Sequence, residues 1–109
     1  MGGSDESALS ALTPIERRRF LAAELPLEPR HAAQMTVSQR AVLRIIAIEM
    51  SRQGVCDLSV VEIAARAACS VGTVQGALHL ARRMGLVTKE GRSLKMKRPR
   101  KGWLQLGPD

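Results

Sequence analysis

Residues 59–84 read SVVEIAARAACSVGTVQGALHLARRM, and this stretch predicts two short helices joined by a tight turn. Ser59 and Glu62 have the S-x-x-E spacing of a capping box. The serine hydroxyl accepts a first-turn N–H and the glutamate accepts the N–H of the cap, so a helix starts near Val60. Val60, Ile63, Ala64 and Ala67 recur at helical spacing and give it one face to bury. Ser70 offers a second N-cap, with Val71, Val74, Ala77, Leu78 and Ala81 as the apolar stripe of a second helix. Only Ala68 to Ser70 separate the two, which is the turn length of a helix-turn-helix.

Upstream, Thr36 and Gln39 form another capping box, opening a long helix to about Gln53 that Gly54 closes. Ala41, Val42, Leu43, Ile45, Ile46, Ala47, Ile48 and Met50 make this helix apolar nearly all round, which predicts a central position covered on several sides. Further back, Thr13-Pro14-Ile15-Glu16 combines an N-cap, a proline at the first helical position and a capping-box glutamate. A helix is expected from Pro14 to Leu25, with Ile15, Phe20, Leu21 and Leu25 on one side and Pro26 as its stop. Arg17, Arg18 and Arg19 form either a solvated face or an extra phosphate or partner contact. Residues 26–35, with two prolines and no period, read as a linker that leaves His31 exposed, and residues 1–12 as a disordered tail.

Downstream of the pair, Leu86 to Lys89 predicts a strand followed by a turn at Glu90-Gly91-Arg92. Leu94 and Met96 alternate with Lys95 and Lys97, placing one face inward and one basic face outward. A loop follows at Arg98-Pro99-Arg100-Lys101-Gly102, then a last strand over Trp103 to Leu106. The tip of this β region is either Gly91-Arg92 or Pro99–Gly102; proline and glycine at the bend favour the second.

Aromatic residues make up only 2% of the 109 residues, so the core must be built from Ala, Val, Leu, Ile and Met. Such a composition suits helices packed closely through small residues. The net charge of +7 is concentrated in one segment: Arg82 to Lys101 holds nine basic residues and one acid, Glu90. A single-sign field of that density attracts polyanions. Cys56 and Cys69 are too few for a disulfide framework, and their spacing does not suit a zinc knuckle with His31 and His79, so both read as small buried hydrophobes. There is no apolar run of membrane-spanning length and no secretory signal at MGGSDES, so a cytoplasmic protein is expected.

The run EIAARAACSVGTVQGAL followed by ARRMGLVTKE resembles the helix-turn-helix and first wing strand of bacterial winged-helix DNA-binding proteins. In that pattern a small residue, here Ala64, lets the helices cross. A hydrophobic residue, here Val74, anchors the second helix, and Gly85 to Val87 ends it and opens a strand. The family usually places glycine in the turn where this chain has Ala68; alanine pays for a positive φ where glycine would not, so the turn is expected to be either slightly strained or differently shaped. The resemblance spans about residues 36 to 106. It implies a mainly α fold with a small antiparallel β wing, a winged helix-turn-helix domain over 36–109 preceded by an extra helix and linker over 13–35. It also implies a brief strand at Val55–Leu58 pairing with the wing. The helix at Pro14 would pack on this domain or on a second subunit, which makes it the candidate homodimer contact.

The resemblance further implies that the second helix enters the major groove of double-stranded DNA, with Ser70, Gly72, Thr73, Gln75, Gly76, His79 and Arg83 facing outward. Gln75 is suited to bidentate pairing with adenine, and Ser70 and Thr73 to a phosphate or base edge. Each glycine costs about 1 kcal/mol of helix stability relative to alanine. Either Gly72 and Gly76 admit the DNA backbone closely, or one of them, Gly76 above all, permits tight helix packing. Arg82 and Arg83 complement the helix dipole or reach the DNA backbone. Arg92, Lys95, Lys97, Arg98, Arg100 and Lys101 would grip phosphates or enter the minor groove. His79 reads as a helix-surface residue rather than a switch.

No Ser-His-Asp set, carboxylate pair, P-loop or metal constellation is apparent, so neither an enzyme nor a cofactor is implied. The expected function is sequence-specific DNA binding by a small bacterial transcriptional regulator. Alternatives of the same build are an excisionase, a replication accessory factor, or a winged-helix module that binds and inhibits another regulator as its protein partner. The basic segment disfavours a pure interaction module, and the lack of aromatics disfavours single-stranded RNA recognition.

Overall fold

The computed structural model describes residues 11–97. The tail expectation, apart from Ala11 and Leu12, and those for Arg98–Gly102 and Trp103–Leu106 lie outside the described residues. Among these residues the elements are α1 (Pro14–Ala23), α2 (Pro29–Ala32), α3 (Val37–Gln53), α4 (Val60–Ala67), α5 (Val71–Arg83), β1 (Val87–Glu90) and β2 (Ser93–Met96).

The cap residues set the helix starts. The hydroxyls of Thr13, Thr36 and Ser59 accept the N–H groups of Glu16, Gln39 and Glu62 at 3.1–3.2 Å. Each of those three side chains in return accepts the cap N–H at 2.9 Å. Reciprocal pairs of this kind satisfy two orphan donors at once. A left-handed residue, Gly54 at φ 87°, closes α3, and its N–H donates to the Met50 carbonyl at 2.8 Å.

The ends of α4 and α5 share one geometry. Cys69 N–H reaches back five residues to the Ala64 carbonyl at 3.0 Å, and Leu86 N–H to that of Ala81 at 2.8 Å. This is the Schellman arrangement, which needs a left-handed residue just before the donor. In α5 that residue is Gly85 at φ 75°; in α4 it is Ala68 at φ 59° and ψ 46°. Of the two alternatives for this turn, alanine takes the left-handed conformation that glycine adopts more readily.

Helix α3 lies at the centre, with Ala41, Val42, Leu43, Ile45, Ile46, Ala47 and Met50 buried. Packed against it are α1, α4, α5 and β2. Ala64, Ala67, Ala77 and Ala81 are all buried, and their small size lets the helices approach closely. Leu21, Leu25 and Met35 join the same core, so α1 and the segment after it belong to one packed body with the rest.

Several expectations need correction. Helix α1 ends at Ala23, two residues before Leu25, and it buries Leu21 and Ala22 while Ile15 and Phe20 stay 54% and 53% exposed. Phe20 lies nearly opposite Ala22 around the helix, and Ile15, though in register with Ala22, sits in the first turn ahead of the buried stretch. Val71 is likewise in the first turn of α5 and is 38% exposed, so the buried stripe begins at Val74. The linker holds a helical turn, α2, opened by Pro29 with its preset φ. His31 is half-buried there rather than exposed, and its Nδ1 has no hydrogen-bond partner among the described residues. Arg40 secures this segment to α3 by donating to the carbonyls of Ala32 at 3.1 Å and Met35 at 2.8 Å.

Strands β1 and β2 form an antiparallel hairpin that pairs Val87 with Met96 and Glu90 with Ser93. That register leaves a two-residue loop, Gly91–Arg92, while the bend expected at Pro99–Gly102 lies outside the described residues. Gly91 has φ 61° at the first loop position, where a type II′ turn places glycine, so no proline is required. The segment expected to pair with the hairpin does so through one rung. Cys56 and Leu94 exchange N–H to carbonyl hydrogen bonds, both at 2.9 Å. Beside them Ser93 Oγ donates to Asp57 Oδ1 at 2.6 Å.

Candidate nucleic-acid interface

The outward face of α5 follows from its inward one. Val74, Ala77 and Ala81 are fully buried, which turns Gly72, Gln75, Gly76, His79, Arg82 and Arg83 to solvent. Gly72, Gly76, His79 and Arg83 fall on one line along the helix, about 3.6 residues per turn apart or multiples of it. A Cβ on Gly76 would meet nothing within 4 Å, and one on Gly72 only Ser70 Oγ at 3.8 Å. Neither glycine is needed for helix packing, so the packing explanation of Gly76 is set aside. The side chains of Gln75 and His79 make no hydrogen bond among the described residues.

At the start of α5 the two hydroxyls are already engaged. Ser70 Oγ accepts the Thr73 N–H at 3.1 Å and lies 2.9 Å from Thr73 Oγ1. One hydroxyl proton is shared between the two oxygens, which leaves the other for an external acceptor. The unpaired N–H groups of the first turn add a positive end to the same place.

In the hairpin, Leu94 and Met96 are buried while Lys97 is exposed and Lys95 half-exposed, as the alternation predicts. Lys95 Nζ lies 4.0 Å from Glu90 Oε1, an ion pair at the outer limit of contact that offsets part of its charge. Lys89 and Arg92 are exposed on β1 and the loop. Lys89 was absent from the residues singled out by sequence, although it belongs to the basic segment; its place on the hairpin adds it to the candidate surface. Arg98, Arg100 and Lys101 lie outside the described residues. From Arg82 to Lys97 the described part still carries six cations against Glu90 alone. Arg83 also borders a shallow depression of about 330 Å³ with His31, Gln34, Leu80 and Met84.

Comparison with known proteins returned no match to any family model, curated protein or solved structure. The reading of this surface therefore stands on its residues.

No group of three or more His, Cys, Asp or Glu that could hold a metal occurs among the described residues. Burial pushes the thiols of Cys56 and Cys69 up, away from the reactive thiolate form. No helix among the described residues is long and apolar enough to cross a membrane.

Two features escaped the sequence. Arg17 Nη1 donates to the Ala65 carbonyl at 3.4 Å and Arg18 Nη1 to that of Ala68, so two of the three arginines of α1 tie it to the end of α4. Glu49, 6% exposed, accepts from Arg66 at 3.0 Å, Arg52 at 3.4 Å and Gln53 at 3.3 Å, linking α3 to α4. The contacts between helices, from Arg17, Arg18 and Arg66, have no local sequence signal, because each depends on how the helices cross.

Proposed function

We propose that the chain binds double-stranded DNA sequence-specifically as a small transcriptional regulator of winged-helix type, with α5 in the major groove and the β1–β2 hairpin as a basic wing on the backbone. The observation that carries this reading is the outward stripe of α5. Two glycines with open space where a Cβ would point flank Gln75 and precede His79, on a helix whose other face is packed. A surface helix gains nothing in stability from glycine, whereas a helix that must press its backbone against another surface gains clearance. Gln75 is free to form two hydrogen bonds with one adenine, and the arginines and lysines from Arg82 to Lys97 supply phosphate contacts that position the helix.

Selection of bound sequences from a random duplex library, at about 150 mM salt where non-specific contacts are weakened, tests the reading. An enriched site is expected. Binding without enrichment that vanishes as salt rises would leave only electrostatic attraction and overturn it.

A further inference from the structure

Away from α5 and the hairpin, a second face combines an exposed aromatic ring with an unmatched cation. Phe20 of α1 is 53% exposed although it is the only phenylalanine in the chain. Glu24, one turn later, is exposed as well; its backbone remains helical at φ −87° and ψ −3°, so it continues the face of Phe20.

Helix α3, which packs on α1, contributes Arg44. Its Nε and Nη1 are shut away from water without a hydrogen-bond partner. Burial pushes the guanidinium below its usual range, and the Glu24 carboxylate is the charge that opposes this. Yet no ion pair joins Arg44 to Glu24 in the described chain. A guanidinium whose inner donors have no acceptor gives up no hydrogen bond when the side chain turns outward toward one.

We propose that this face is where two copies of the chain meet about a twofold axis, with Phe20 at the centre and Arg44 of each copy paired with Glu24 of the other. A twofold contact is self-complementary: if one residue meets another across it, the reverse contact also forms. Glu24 lies one turn beyond Phe20 and is the charge that acts on Arg44, yet the two are not joined within one copy, so exchanging them across the axis gives each guanidinium a carboxylate partner. Buried aromatics and charge-assisted arginine bonds are the usual strong points of such contacts. The assignment gives the exposed side of α1 a partner, and it leaves α5 and the hairpin untouched.

Sedimentation equilibrium of the free protein over a wide concentration range tests it for the wild type, Glu24→Arg, Arg44→Glu, the double swap and Phe20→Ala. The wild type is expected to approach twice the mass of the chain. Each single charge change should weaken association at least about tenfold, the loss of roughly one charge-assisted contact. The double swap should restore most of it, and Phe20→Ala should weaken association while leaving thermal unfolding of the monomer unchanged. Glu24 and Phe20 are exposed, so their variants report even if Arg44→Glu disturbs folding. A wild type that stays at the mass of one chain overturns the proposal, as does a dimer indifferent to Glu24→Arg and Phe20→Ala. No DNA is present in the measurement, so its outcome is separate from that of the sequence selection.

Discussion

The guanidinium of Arg18 donates to the backbone carbonyl of Ala68, the one described non-glycine residue with a positive φ. With Arg17 reaching Ala65, the helix in front of the core holds the turn that fixes how α5 leaves α4. Helix α1 is thus tied to the turn from which α5 leaves.

Replacing Ala68 by glycine should stabilise the protein. A left-handed alanine costs about 1–2 kcal/mol, part of which is offset by the greater freedom of glycine in the unfolded chain. A net gain of about 1 kcal/mol is expected in urea unfolding. Arg18→Gln, which removes the donor to the same turn, should lose about 1 kcal/mol. Unchanged stability in Ala68→Gly would mean that the turn holds no strain.

Gly76→Ala separates stability from binding. Nothing lies within 4 Å of the added Cβ, so the helix should gain up to about 1 kcal/mol and melt at a higher temperature. DNA affinity, followed by fluorescence anisotropy on the selected duplex, should fall because the methyl group stands between backbone and groove. A variant that is both more stable and equally tight would remove the argument from clearance.

Base reading and phosphate grip should respond to different substitutions. Gln75→Ala is expected to reduce discrimination against a changed base by about 1–3 kcal/mol while leaving the salt dependence as it is. Arg92→Ala or Lys97→Ala should weaken binding to all sequences alike and lower the slope of log affinity against log salt by about one each. The reverse pattern would exchange the roles given to α5 and the hairpin.

Acid should loosen α1 and α4 first. Hydrogen bonds from the backbone and side chains of Thr13 and Ser59 hold the carboxyls of Glu16 and Glu62 below the ordinary 4.5. A lowered folded-state pKa gives stability that is present above the unfolded value and is lost as pH falls through the folded one. Stability should therefore decline as pH drops below about 4.5, and Glu16→Gln with Glu62→Gln should flatten that decline, as followed by helical circular dichroism. An equally steep decline in the double variant would place the acid sensitivity elsewhere.

Glu49→Ala should be the costliest of the polar changes, at about 2 kcal/mol in chemical denaturation. It strips Arg66 and Arg52 of their shared acceptor, but Arg66 is 43% and Arg52 69% exposed, so water recovers part of what a fully buried pair would lose. A cost near zero would show that the link between α3 and α4 is carried by apolar packing alone.

The elements that the sequence made legible are those set by near neighbours. Thr13, Thr36 and Ser59 announce their helices through a residue three positions on, and Gly54 and Gly85 end theirs by a backbone angle that glycine accepts most readily. The outward residues of α5 were equally readable, because Val74, Ala77 and Ala81 define the opposite side. What needed the folded chain was anything decided between distant elements. Helical spacing alone did not tell that the ring of Phe20 would miss the core, nor that Arg18 would find a carbonyl 50 positions away. The bend of the described hairpin follows from strand register, which leaves Gly91 and Arg92 as the loop.

The rung between Cys56 and Leu94 has an outcome beyond holding the hairpin in place. Successive strand residues point to opposite sides, so sliding β2 by one position would send Lys95 inward and Leu94 into water. Together with the ladder to β1 and the two-residue loop, this pair of hydrogen bonds holds β2 in the one of two opposite facings that sets the side of the protein on which the lysine charge emerges.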